Sequence, residues 1–229
     1  MDIYTPGLQW YVDKLNNGER FTFTRYGNGE WDCIFDLYPR TRSGSQTFNP
    51  ALRRALTASL TEHHGGRNYV AMQSVSFLAR VKLLPHIEPW VSANVPDLQW
   101  HDGEVFAKAS RNGTLYPFVE AIRKHKIVVV GPQHLLSLPF ARLFVPVKLH
   151  NCWDDVDKLT DALSVHSNSV ILFSAGPTTK VLIHRLYPAL KSSWLIDCGS
   201  LWDVYCGVNS RRYHKTISAR TLKRNLTGK

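Results

Sequence analysis

Phe21-Thr22-Phe23-Thr24-Arg25-Tyr26-Gly27-Asn28-Gly29-Glu30-Trp31-Asp32 joins an alternating aromatic and threonine run to a Gly-x-Gly turn and then to acidic residues. β-Branched and aromatic residues at period two predict a strand, and Glu30-Trp31-Asp32-Cys33-Ile34-Phe35 takes up an apolar spacing suited to a helix. Between them Gly27 and Gly29 supply positive φ or close backbone approach. In an open α/β sheet, the end of such a strand is where ligands bind. Two readings of Glu30 and Asp32 stay open at this point. The carboxylates either hold a divalent cation that neutralises a diphosphate resting on the helix amides, or cap the helix and complement its dipole.

Three further stretches repeat the pattern downstream. Ile127-Val128-Val129-Val130-Gly131-Pro132 is a near-continuous β-branched run ending in glycine, as expected of a parallel strand buried on both faces, and it delivers His134 to the following loop. His134 there is either a nucleotide contact or a capping or solvated histidine. Val170-Ile171-Leu172-Phe173 ends in Ser174-Ala175-Gly176-Pro177, where small residues let backbone amides approach a phosphate. The helix expected from Thr178 to Tyr187 carries Lys180 and His184 on one face. Trp194-Leu195-Ile196-Asp197 is the last predicted strand, and Asp203 follows one short turn on.

Around these units the predicted elements are helices at 6–17, 74–84 and 114–125, a helix opening at Asn49-Pro50, another running from Asp154-Asp155 to Val165, a buried strand at Tyr69–Met72 and an edge strand at Leu143–Val147. Residues 90–100, with Pro89 and Pro96 nearby, read as a looser segment. Tyr38–Ser45 reads as a basic loop, with Arg40 and Arg42 either facing an anion or simply solvated. His63-His64-Gly65-Gly66 ends a helix and lacks partner ligands in the nearby sequence.

At 229 residues the chain is long enough for one α/β core. No run approaches the roughly 18 apolar residues of a membrane span, and the N-terminus lacks the pattern of a signal peptide, so a cytoplasmic location is expected, in the host cytoplasm if the protein is viral. Cys33, Cys152, Cys198 and Cys206 form no C-x-x-C pair and are expected as reduced thiols. Phosphate-loop, Gly-x-Gly-x-x-Gly, Gly-x-Ser-x-Gly and His-Glu-x-x-His signatures are all missing, which argues against P-loop NTPases, common dehydrogenases, serine esterases and zinc proteases. The net charge is +10, and no acid follows Asp203, whereas Arg211, Arg212, Lys215, Arg220, Lys223, Arg224 and Lys229 do. Such a tail is either a solvated basic segment or a surface for a polyanion.

Taken together, Arg25-Tyr26-Gly27-Asn28-Gly29-Glu30-Trp31, Val129-Val130-Gly131-Pro132, Phe173-Ser174-Ala175-Gly176-Pro177 and Ile196-Asp197-Cys198-Gly199-Ser200-Leu201-Trp202-Asp203 resemble the GT-D glycosyltransferases, over most of the chain. In that family an Arg-Phe/Tyr-Gly-Asp-Gly-Glu segment carries an Asp-x-Glu motif for the metal and nucleotide sugar. Here Asn28 stands at the first position, so Glu30 alone matches the family's carboxylates. The resemblance implies a single open, mainly parallel, Rossmann-like sheet flanked by helices over residues 1–210, with 211–229 as a basic C-terminal segment. It also implies transfer of a sugar from a nucleoside diphosphate sugar, with manganese or magnesium as the expected cofactor and Glu30 as its ligand. Glu30, Asp197 and Asp203 are the candidate catalytic residues. Asp32, one to two residues inside its helix, is expected to face solvent and ranks behind Asp197 and Asp203 as a base. Arg25, Gly27, Asn28, Gly29, Gly131, His134, Ser174, Gly176 and Lys180 are the candidate nucleotide-sugar contacts. Arg211, Arg212 and Lys215 are the candidate acceptor or anion contacts, and Trp202, Tyr205 and Tyr213 either stack on a base or pack in the core. The acceptor is open between DNA carrying a hydroxymethylated pyrimidine and a glycan or protein. A non-catalytic nucleic-acid-binding module on the same scaffold is the rival reading.

Overall fold

The computed structural model describes residues 1–37, 46–62 and 65–229. The expectations for Arg40, Arg42, His63 and His64 therefore lie outside the described residues. In chain order the elements are β1 (Ile3–Tyr4), α1 (Leu8–Asn16), β2 (Thr22–Tyr26), α2 (Asn28–Phe35), α3 (Pro50–Thr61), β3 (Asn68–Met72), α4 (Val75–Arg80), α5 (Leu84–Asn94), β4 (Trp100–Asp102), α6 (Val105–Asn112), α7 (Tyr116–Arg123), β5 (Lys126–Gly131), β6 (Leu143–Pro146), α8 (Val156–Ser164), β7 (Ser169–Phe173), α9 (Thr178–Leu186), β8 (Trp194–Asp197) and α10 (Ala219–Thr227). Short 3₁₀ turns span Gln133–Ser137, Cys152–Asp155, Asp203–Cys206 and Arg212–Thr216.

The strands form one sheet in the order β1-β4-β3-β2-β8-β7-β5-β6, and every pairing is parallel. Alternation along the strands splits their side chains between two cores. Val128, Val130, Ile171, Phe173 and Leu195 face one core, under α2, α3, α8 and α9, where Trp31, Leu56, Leu159 and Leu182 meet them. Ile127, Val129, Val170, Leu172 and Ile196 face the other, under α1, α6 and α7, with Tyr11, Phe106 and Phe118. A strand buried on both faces needs apolar residues at every position, which is why these stretches read as continuous runs rather than as alternating ones. Each such side chain contributes about 2 kcal/mol on burial.

Several elements depart from expectation. The helix predicted across 74–84 stops at Arg80 because Lys82 turns left-handed, with φ of 61°, and α5 then starts afresh. Pro85 does not end a helix; it occupies the first turn of α5, where its missing N–H costs nothing. Pro89 lies inside α5 on its exposed side, so water can satisfy the carbonyl it frees, and the helix reaches Asn94 through the stretch expected to be loose. β1, β4 and α6 were not expected at all. The two strands are too short to show a period, and α6 has a polar face. Cys33, Cys152, Cys198 and Cys206 are free thiols, and no helix among the described residues is long and apolar enough to cross a membrane.

The topology fixes where a site can form. From β2 the chain moves outward through β3 to β4, whereas β8 is reached from the opposite half of the sheet through β5 and β7. β2 and β8 are thus neighbours whose connections run apart, and the crevice beyond their carboxyl ends is the usual ligand position in such a sheet. Their ladder registers Thr22 with Leu195 and Phe23 with Ile196. Two residues further on, the Arg25 amide donates to the Asp197 side chain, Oδ2, at 3.2 Å.

Candidate active site

Because all strands run the same way, the loops that begin at Gly27, Gly131, Ser174 and Asp197 lie along one edge of the sheet, after β2, β5, β7 and β8. At the β2/β8 crevice the side chains of Glu30, Asp197 and Lys180 meet. Lys180, in the first turn of α9 and 3% exposed, places its ammonium 2.8 Å from Glu30 Oε1 and 2.9 Å from Asp197 Oδ2. Its third proton is directed to the Gly176 carbonyl at 3.3 Å. The other oxygen of Glu30 accepts from the Gly27 amide at 2.8 Å, and Asp197 Oδ1 accepts from the Gly199 amide at 2.9 Å. Five of the expected residues, Gly27, Glu30, Gly176, Lys180 and Asp197, are therefore joined in one network, with Gly199 completing it.

The electrostatics agree with the geometry. Burial alone would raise the Glu30 carboxyl, but the Lys180 charge and hydrogen bond, the Gly27 amide and the Arg25 charge outweigh it and hold the group below the ordinary carboxylate range. Burial alone would lower Lys180, yet the facing Asp197 and Glu30 charges outweigh it and hold the ammonium above its usual value. Glu30 and Lys180 each favour the charged form of the other, which is the condition under which buried ions are tolerated.

Arg25 crosses the mouth of the crevice between two glycines. A Cβ on Gly103 would lie 2.9 Å from Arg25 Cγ, and one on Gly199, where φ is +53°, would lie 2.1 Å from Arg25 Nη2. Gly103 and Gly199 thus leave room for the stem and the guanidinium respectively. Asn28 is exposed at the start of α2, where its amide donates to Gln73 Oε1 at 3.0 Å. Gly29 is the next residue of the same turn, with open space where a Cβ would be. Asp32 does not face solvent as expected: it is 3% exposed, on the inner side of α2. Gly131 lies against Leu135 and Ser174, where a Cβ would come within 2.6 Å of Leu135.

A second group lies after β5 and β8. His134 Nε2 is 2.9 Å from Asp203 Oδ1, and the Ser210 hydroxyl donates to Asp203 Oδ2. Arg211 reaches the β8 end, donating to the Ser200 hydroxyl at 3.2 Å, while Arg212 and Lys215 are exposed. Trp202 is fully buried against Phe118 and Phe140, so it belongs to the core. Tyr205 is tied to Ser110 and Asn225, and Tyr213 lies under the Arg111 guanidinium. Sequence reasoning missed Gly103, Gln73 and Ser210, and placed Ser200 only within the motif that follows the last strand. A glycine right after an acid, as in Asp102-Gly103, was the available signal for the first; Gln73 and Ser210 carry none.

The expected divalent cation does not fit this network. Glu30 and Asp197 face the same point, but the Lys180 ammonium stands there, and a cation with ligands at about 2.0–2.6 Å would have to displace it. Asn28, in place of an acid, removes a further charge. Among the described residues no group of three or more His, Cys, Asp or Glu side chains is arranged to hold a metal.

No family model matches the chain, and no curated protein matches it. Solved structures do. One described as a new glycosyltransferase (DUF1792) from Streptococcus sanguinis superimposes with a TM-score of 0.68 at 19% identity, covering 89% of this chain and 84% of that one. Another DUF1792 structure, described as a distinct glycosyltransferase fold, gives a TM-score of 0.67 at 18% identity, covering 89% of this chain and 80% of that one. At such identity the likeness is one of fold, and it covers 89% of the chain. The chain thus has the distinct glycosyltransferase fold of the DUF1792 structures, as its GT-D-like motifs led us to expect.

Proposed function

We propose that this protein is a glycosyltransferase that moves a sugar from a nucleoside diphosphate sugar to an acceptor hydroxyl at the β2/β8 crevice. The observation that carries this reading is the meeting of Arg25, Glu30, Asp197 and Lys180 at the topological switch point of a sheet built like known glycosyltransferases. Transfer breaks the bond between the anomeric carbon and the diphosphate oxygen and forms one to the acceptor oxygen. It requires positive charge at the departing diphosphate and a base for the acceptor proton. Arg25 supplies the charge at the mouth of the crevice, with Arg211 beside it at Ser200. Gly27, Asn28 and Gly29 on one side and Ser174 and Gly176 on the other form the backbone walls in which the donor would lie.

The base is best assigned to the His134–Asp203 pair. Glu30 and Asp197 each have both oxygens occupied by Lys180 or backbone amides, whereas His134 is partly exposed and is oriented by Asp203. Replacing Asp203 with Asn should lower kcat by about 10²- to 10⁴-fold with little change in donor affinity, as loss of an oriented base does. The basic segment from Arg211 supports a polyanionic acceptor, and DNA bearing a hydroxymethylated pyrimidine combines that charge with a reactive hydroxyl. The test is mass spectrometry of hydroxymethylated DNA, glycans and protein acceptors after incubation with a panel of nucleotide sugars. A hexose-sized mass gain on DNA supports the full reading. Gain on a glycan or protein moves the acceptor while keeping the transferase, and no gain on any acceptor, without release of nucleoside diphosphate, removes the activity.

A further inference from the structure

We propose that Lys180 occupies the place of a divalent cation, so that this protein holds a donor diphosphate without metal, Lys180 locking Glu30 and Asp197 together while Arg25 receives the phosphates. The inference rests on the transferase reading for its ligand but on the side-chain network for its content. Two carboxylates on different elements, Glu30 on α2 and Asp197 at the end of β8, are directed at one point, the arrangement that would otherwise recruit a cation. That point is filled by an ammonium with three acceptors, Glu30 Oε1 at 2.8 Å, Asp197 Oδ2 at 2.9 Å and the Gly176 carbonyl at 3.3 Å. All three ammonium protons are spoken for, so Lys180 does not itself reach a ligand. It acts as a positioning residue, fixing the loops after β2, β7 and β8 relative to one another.

Charge counting points the same way. Two carboxylates and one ammonium leave a single negative charge, which the neighbouring Arg25 guanidinium balances. Adding a divalent ion to that set before a diphosphate arrives would place four positive charges around two negative ones in a buried site, at a heavy desolvation cost. A diphosphate arriving at Arg25 meets a neutral, preorganised floor, and its own charge is compensated from above by arginine, whose planar fork suits phosphate oxygens. Asn28 is consistent with this. At the exposed start of α2 it adds no carboxylate to the site.

The experiment uses the full chain, stripped with EDTA, and two kinds of probe. Manganese alone is titrated and followed by electron paramagnetic resonance, and ADP, GDP, UDP and TDP are titrated by calorimetry with and without manganese. The wild type is expected to bind no stoichiometric manganese and to bind its preferred nucleoside diphosphate with affinities that agree within about twofold in the two conditions. Lys180→Met is expected to gain manganese binding by about tenfold or more, and Lys180→Met combined with Glu30→Gln to lose it again. A purely structural role for Lys180 would not create a metal site. Stoichiometric manganese on the wild type that disappears in Glu30→Gln, or a fall of about tenfold or more in nucleotide affinity on metal removal, would overturn the proposal. Should Lys180→Met not fold, the wild-type manganese titration decides alone. If no nucleoside diphosphate binds under either condition, the transferase reading fails, while the manganese arm still decides whether Lys180 excludes a cation.

Discussion

At the scale of single residues, the acids and glycines of the site were legible because they punctuate strand ends, and punctuation survives in a bare sequence. What those residues do to one another was not. Lys180 sits in a helix whose first turn, Thr178-Thr179-Lys180-Val181, is buried throughout, and a lysine is ordinarily assigned to solvent. Its partners come from elements 150 and 17 positions away in sequence, beyond the reach of any local pattern. Glu30 thereby changes character, from an expected metal ligand to one side of an ion pair. Gly199 offers a sharp test at this scale. Its φ of +53° and the 2.1 Å approach of Arg25 to a would-be Cβ mean that Gly199→Ala must strain the backbone and push the guanidinium aside. We expect a stability loss of about 1–3 kcal/mol in urea unfolding, together with weakened nucleotide binding, whereas Gly29→Ala, with open space around it, should show neither steric effect.

At the scale of elements, buried strands read well and short or polar ones did not. β5 and β7 are apolar at nearly every position, while β4, Trp100-His101-Asp102, is only three residues and borrows its strand character from β3 and β1 beside it. Proline misled for a definite reason: in α5 it stands where a helix tolerates it, and local rules treat it as a stop. The basic C-terminal segment is likewise more than a charged tail. α10 packs on α6 and α7, and its Asn225, fully buried, accepts from the Leu115 amide and donates to the Ser110 carbonyl and the Tyr205 hydroxyl. Asn225→Ala leaves those groups unpaired and should cost about 1–3 kcal/mol. Hydrogen exchange should localise the loss to α10 and the start of α7; uniform exchange elsewhere and protected α10 amides would contradict that anchoring role.

At the scale of the whole molecule, the parallel sheet with helices on both faces followed from the repeated strand, turn and helix units, and its strand order did not, because order is set by which β-faces pair after collapse rather than by sequence proximity. The placement of β8 beside β2 is the step that creates the site. The molecule's charge balance also carries a pH dependence. His101, packed among Tyr4, Trp10, Tyr11 and Tyr69, is pushed down by burial from 6.5 to about 4. The unfolded chain therefore takes up that proton first. The His101 contribution to stability is fully present above about pH 6.5 and is lost as pH drops towards 4, and Glu30, held below the carboxylate range, adds a further loss at lower pH. Urea midpoints across this range should fall in the wild type, and the part between pH 6.5 and 4 should shrink in His101→Gln.

Donor binding at the β2/β8 crevice is the central property to test. Calorimetric titration of a panel of nucleoside diphosphate sugars into the wild type and Arg25→Ala, with circular dichroism confirming that both are folded, addresses this directly. We expect one nucleotide class to bind the wild type in a one-to-one complex and to weaken by about tenfold or more in Arg25→Ala, the loss of a charged phosphate contact. Absence of binding by every nucleotide sugar, or binding that Arg25→Ala leaves unchanged, would contradict it.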